Sequence, residues 1–305
     1  MTTTLAPIQP APEVVAAPPR HRVRRATLPL GAAVVFWGFL STALVALIVF
    51  GYLLWVSALP QARAQQQMYE QFREQIAAAE APLGGSIAPG TPVALIEAPT
   101  IGLRQIVVEG TAAGPMMVGP GHRRDTPLPG QAGVSVVYGH SVAFGGPFHN
   151  IGWLRPGDTM TVTVGLGQFT YEVTAVRRAN DPLPPPVAAG GSRLTLVTAE
   201  GDGWRTGWAP DHAVYVDATM QLEPRLGPPG RPTAIAPAEK AMQGDPNALI
   251  PLVLWLQLLA VTAVFALWAR ARWGGRQTWL TGVPVLLLAL WGAIESAGQL
   301  LPNLL

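Results

Sequence analysis

The chain has no cysteine among its 305 residues. That absence excludes disulfides, thiolate metal sites and thiol catalysis, and it leaves the redox compartment unmarked. Charge is scarce too: 12% of residues are Asp, Glu, Lys or Arg, while 49% are hydrophobic. Soluble domains ordinarily carry about a quarter charged residues, so the balance favours a membrane protein. The net charge is +2 and the arginines sit in short clusters, so nothing asks for a nucleic-acid partner. No cofactor is called for either. His122, His140, Asp211 and His212 are the only metal-ligand set worth considering, and their spacing fits no known metal motif.

Three apolar runs stand out. Leu30 to Val56 holds no charged residue, and as a helix it would reach roughly 40 Å, more than a bilayer core. A cleaved signal peptide would be shorter and end in small residues, whereas Ser57-Ala58-Leu59 makes a poor cleavage site. The run is therefore read as an uncleaved transmembrane helix. The second span covers 248–269 and the third 278–297, the latter meeting Glu295, a residue costly to bury in lipid. Arg20, Arg22, Arg24 and Arg25 precede the first span; Arg270, Arg272 and Arg276 mark a basic loop at 270–277. Positive segments stay in the cytoplasm. Residues 1–29, rich in Pro, Ala and Thr, are then a disordered cytoplasmic tail, and 57–247 lie outside.

The outer stretch begins with a stalk and linker, 57–92. Within it Gln61 to Glu80 reads as a helix, with Met68, Phe72 and Ile76 on one face packing against the neighbouring domain. A second Pro/Gly-rich linker, 221–247, returns to the membrane. Between them, residues 93–220 read as strands: Arg104 to Glu109, Gly133 to Tyr138, Asp158 to Val164, Phe169 to Arg177, Arg193 to Thr198 and His212 to Thr219. Gly and Pro clusters separate these runs, and Gly165-Leu166-Gly167 suits a hairpin turn. Periodicity alone supports an all-β barrel or sandwich.

Ile101-Gly102-Leu103 with Val107-Val108-Glu109-Gly110 opens a series of four stretches. Gly119-Pro120-Gly121-His122 comes second, then Tyr138-Gly139-His140 with Pro147-Phe148 and Gly157-Asp158, and last Leu194-Thr195-Leu196-Val197-Thr198. In this order they resemble the sortase family, most closely its actinobacterial housekeeping-like branch. The resemblance implies an eight-stranded barrel that cuts a sorting signal through a cysteine thioester and passes the acyl group to an amine. Such chemistry needs a thiolate, a histidine to manage protons and an arginine for the oxyanion.

Carried over by position, the histidine is His140, the cysteine position holds Ala199 and the arginine position holds Ala213. Thr198 is the nearest hydroxyl, but strand neighbours point to opposite faces, so it turns away if Ala199 faces the groove. Arg205, in the loop Gly201 to Gly207, lacks a nucleophile to serve; Trp204 and Trp208 in the same region are candidate groove contacts. The expected protein is thus a catalytically degenerate sortase-like module outside a bacterial plasma membrane, taking part in cell-envelope assembly. Its partners would be a peptide segment of a secreted or membrane protein, and other membrane proteins. The enzyme alternative is a sortase transpeptidase that anchors surface proteins and whose cysteine was substituted.

Overall fold

A computed structural model describes residues 29–178, 180–201, 210, 212–241 and 243–304. The expected tail 1–29, all but its last residue, and the loop holding Trp204, Arg205 and Trp208 lie outside the described residues. Two units divide the chain, Met1–Val45 and Ala46–Leu305, and everything that positions the site belongs to the second.

Helix α1, Leu30–Gly51, is apolar along its length and runs into a π-helical turn at Tyr52–Val56. Helix α2, Ala58–Ala77, comes next. Of the expected stripe on α2, Phe72 is buried against Ile106 and Ala81 with Met68 partly covered, whereas Ile76 is exposed. Gln65 supplies contacts that the apolar pattern does not predict. Its amide nitrogen donates to the carbonyls of Ile106 and Val118, and its oxygen accepts from the Ile106 N–H. The side chain acts there as a surrogate strand edge for backbone groups that must otherwise stay unpaired.

Eight strands close into a barrel: β1 (Pro92–Ala98), β2 (Leu103–Glu109), β3 (Gly121–His122), β4 (Gly133–Tyr138), β5 (Thr159–Val164), β6 (Gly167–Arg177), β7 (Ser192–Glu200) and β8 (His212–Met220). Their order around the barrel is β1-β2-β3-β4-β7-β8-β6-β5. The six strands read from sequence are all present; β1 and β3 are additional. Val164 pairs with Gly167, so the β5–β6 hairpin turns on Gly165-Leu166. Inward residues such as Ile96, Val107, Val137, Phe148, Tyr171, Leu194, Leu196 and Val216 fill the interior. A single helical turn, α3 (Ala113–Met116), links β2 to β3.

Beyond the second linker, α4 (Leu249–Trp273) and α5 (Gly275–Gln299) form a hairpin joined at Gly274. The expected basic loop is therefore helix on both sides: Arg270 and Arg272 end α4, and Arg276 begins α5. Among the described residues, three helical stretches, Gly38–Ala77, Pro246–Arg272 and Gly275–Gln299, are long and apolar enough to cross a membrane. Glu295 on α5 is exposed.

Candidate groove on the barrel face

The site positions lie where β4, β7 and β8 run side by side. Strands β4 and β7 are parallel, ending in the pair Tyr138↔Val197; β7 and β8 are antiparallel, with Ala199↔Ala213 and Glu200↔His212. Alternation sends Leu194, Leu196, Val216 and Ala218 into the barrel core. The opposite face carries Tyr138, Val197 and Ala199, with Val136, Ala213 and Tyr215 beside them. Ala199 and Ala213, the positions that the resemblance assigns to the cysteine and the arginine, are thus cross-strand neighbours on a continuous apolar floor.

Thr198 lies between these residues in sequence and is buried. Its hydroxyl donates to the Gly139 carbonyl at 2.9 Å, which ties the end of β7 to the chain leaving β4. The Gly139 N–H donates in turn to the Val197 carbonyl. A Cβ on Gly139 would lie 2.4 Å from the Phe148 ring, so only glycine fits at this exit.

His140 is next in the chain, buried, with its ring 5.0 Å from that of Phe144. Phe144 holds a φ of +50°, a region that a bulky side chain occupies only at a cost of order 1–3 kcal/mol. Its surroundings fix it there. Its N–H donates to Ser57 Oγ at 2.9 Å, Ser57 donates to the Leu53 carbonyl, and the ring approaches Gly298 of α5. Leu53, Ala143 and Phe144, with Leu301, form one apolar cluster. The loop bearing His140 is therefore packed against helical segments that flank the barrel.

Beside Ala199 opens a small cleft of ≈ 50 Å³ lined by Ser141, His149, Gly152, Trp153, Thr198, Glu200 and Val214. Trp153 is 68% exposed, a large aromatic at the rim that sequence reading misses; the Pro147-Phe148 pair, just ahead of it, is the nearest signal. Glu200 holds Arg178 at 2.7 Å, and that bond raises the guanidinium pKa further above its ordinary value. His212 Nε2 stands 3.9 Å from the same carboxylate.

His122 belongs elsewhere. His122 is buried with Nδ1 3.0 Å from Glu109 Oε2, and Arg231 of the linker donates to Glu109 Oε1 at 2.7 Å. The metal set weighed above is thus dispersed, with Asp211 outside the described residues. Among the described residues no group of three His, Asp or Glu side chains converges as metal ligands.

The chain itself lies over the apolar floor. Leu304 is fully buried in the cluster of Tyr138, Val197, Ala199 and Met116, with Ala241 packed alongside. The Ser141 N–H donates to the Leu304 carbonyl at 3.2 Å. Asn303, also fully buried, gives its amide nitrogen to the carbonyls of Ala238 and Lys240 and its N–H to that of Gln243. Asp245 N–H closes the ladder on Gln299. Ala199 is left only 1% exposed.

A family model for the sortase domain matches residues 96–218. Sortase D of Bacillus subtilis is 32% identical over 88 residues, 29% of this chain and 43% of that protein, so the chain spans less than half of the relative's length. Among solved structures, the sortase D5 transpeptidase of Clostridium perfringens is 22% identical. That match covers 52% of this chain and 98% of that one, with a TM-score of 0.42. Sortase E of Streptomyces avermitilis is 30% identical over 45% and 91%, with a TM-score of 0.37.

Proposed function

We propose, from the match of residues 96–218 to the sortase-domain model, that this chain acts as a catalytically degenerate sortase, a binding or scaffolding module held outside a bacterial plasma membrane and used in cell-envelope assembly. The observation that carries this reading is the pair Ala199↔Ala213. The two positions that would supply a thiolate and a guanidinium meet across adjacent strands as methyl groups on an apolar floor. Acyl transfer needs a nucleophile and a stabilised oxyanion, and neither group is present there. Thr198 does not substitute, since its hydroxyl is committed to Gly139 O on the barrel side of the strand.

A concave face on a β scaffold keeps peptide affinity through backbone hydrogen bonds and a few apolar contacts. The ligand in this reading is a peptide segment of a secreted or membrane protein, seated between His140 and the end of β7 with Trp153 at its margin; Trp204, Arg205 and Trp208, outside the described residues, are contacts proposed from the sequence alone. The arginines ahead of α1 and at the α4–α5 turn support a cytoplasmic placement for both, and hence an extracytoplasmic barrel. Other membrane proteins are the natural company of a chain with three candidate spans.

The test is chemical restoration in the full chain. Ala199→Cys combined with Ala213→Arg, assayed with sorting-signal peptides and an amine acceptor, is expected to give neither cleavage nor an acyl adduct by mass spectrometry. Transpeptidation by this variant would favour the alternative, a sortase whose cysteine was substituted.

A further inference from the structure

The segment after α5 sits where a peptide partner would bind. We infer that residues 300–304 are a resident occupant of the groove, and that the groove selects an apolar juxtamembrane segment, one that leaves a membrane helix and presents a leucine to the β4–β7–β8 floor. This rests on the binding role proposed above and assigns its ligand class and its resting state.

Three observations carry the inference. Leu304 is buried against the floor that contains Ala199 and Ala213, the positions of the lost catalytic pair. Its backbone is recognised as well: the residue after His140 donates its N–H to the Leu304 carbonyl. The segment is also presented by a dedicated support. Asn303, with hydrogen bonds to Ala238, Lys240 and Gln243, fixes it to the linker. The linker is itself held to the barrel, since Thr111 Oγ1 donates to the Glu239 carbonyl and Arg124 pairs with the Glu239 carboxylate. Gly244 permits the close pass, because a Cβ there would lie 2.2 Å from the Leu300 carbonyl oxygen.

An occupant that arrives directly from α5 enters the groove beside the Leu53–Phe144 cluster, where Leu301 packs. A partner segment with the same geometry, emerging from its own helix, meets the same apolar floor and the same Ser141 donor. It binds only as the resident segment leaves, so the two compete.

The absence of native cysteine provides the assay. Ala199→Cys places one thiol under Leu304, and Thr170→Cys, on the exposed face of β6, serves as reference. In the intact chain in nanodiscs, maleimide is expected to label position 199 at least about tenfold more slowly than position 170, since a buried thiol reacts only through local opening. Adding Leu304→Asp, or separately Gly244→Ala, is expected to raise the rate at 199 by about tenfold or more and leave 170 unchanged. Gly244→Ala lies outside the barrel, so it gives the answer even if Leu304→Asp disturbs folding. A synthetic peptide of residues 299–304, supplied to the Gly244→Ala variant, should restore protection. Equal rates at 199 and 170 in the intact chain, or protection untouched by Gly244→Ala, would overturn cis occupancy. Deprotection that the peptide fails to reverse would leave occupancy standing and overturn the peptide-binding role.

Discussion

Arg231 offers the sharpest test of how the second linker is fastened. Its guanidinium donates to Glu109 Oε1 at 2.7 Å, and the carboxylate is 1% exposed, with His122 on its other oxygen. At an effective dielectric near 20, an attraction across about 3 Å is of order 5 kcal/mol, and desolvation offsets most of it. The net value of the pair is therefore small, but the asymmetry is large. Arg231→Ala removes the cation and leaves a buried carboxylate with one partner, at a cost of about 3–5 kcal/mol. Glu109→Gln in the Arg231→Ala background removes the orphaned charge and should recover part of that loss, about 1–3 kcal/mol. For a barrel of this size each kcal/mol moves Tm by roughly 3–5 °C. Thermal unfolding followed by tryptophan fluorescence should therefore place Arg231→Ala at least about 10 °C below the parent, with the double variant between them. A single variant within about 1 kcal/mol of the parent, or a double variant no better than the single, would refute the argument that the charge is truly desolvated.

Phe72→Ala, which empties a site 1% exposed between α2 and β2, should cost about 3–5 kcal/mol by denaturant unfolding and separate the stalk from the barrel. Tyr171 is fully buried, and burial raises its phenol pKa, with Ser192 and Gly130 partly opposing. The unfolded phenol ionises from about pH 10 while the folded one stays neutral, so stability should fall as pH rises through that window, and Tyr171→Phe should flatten the fall. Impermeant thiol reagent on whole cells should label Thr170→Cys and spare Gly275→Cys; labelling at 275 alone would reverse the proposed orientation. Gln131, otherwise a natural choice for the outer label, is unsuitable because it is 7% exposed and its amide donates to Leu83 O. Trp204→Ala should weaken partner binding by about 1–3 kcal/mol with Tm unchanged if the residue is an anchor; a matching loss of Tm would make it core instead.

Burial decides which elements are legible in the sequence. Strands β4 to β8 are marked by β-branched runs and glycine turns, and each reads within two residues of its bounds. Strand β1 escapes because both of its faces are covered: Ile96 points into the core while Leu95 meets the α2 cluster, so no polar alternation marks it. Two-residue β3 is too short to carry a period. Resemblance to a known family locates His140, Ala199 and Ala213, none of which periodicity would single out. The groove's occupant is invisible for a different reason. Residues 299–304 pair with 238–245 from across the α4–α5 hairpin, and such pairing leaves no local signature; the segment reads as the frayed end of a span.

The π-helical turn at Tyr52–Val56 has a further consequence. An α-helix advances about 100° per residue, and a π-turn accommodates an additional residue per turn. The turn thus sets the angular phase between Tyr52 and Leu53, which face Trp291 and the Phe144 loop, and Gln65 and Phe72, which face β2. Loss of one residue from it would rotate everything downstream by about 100°, turning the barrel-facing side of α2 away from its seat while every helix remained intact. The helical rod from Tyr52 onward and the loop that carries His140 and Phe144 meet at this point, through the Ser57–Phe144 hydrogen bond and the Leu53–Phe144 cluster.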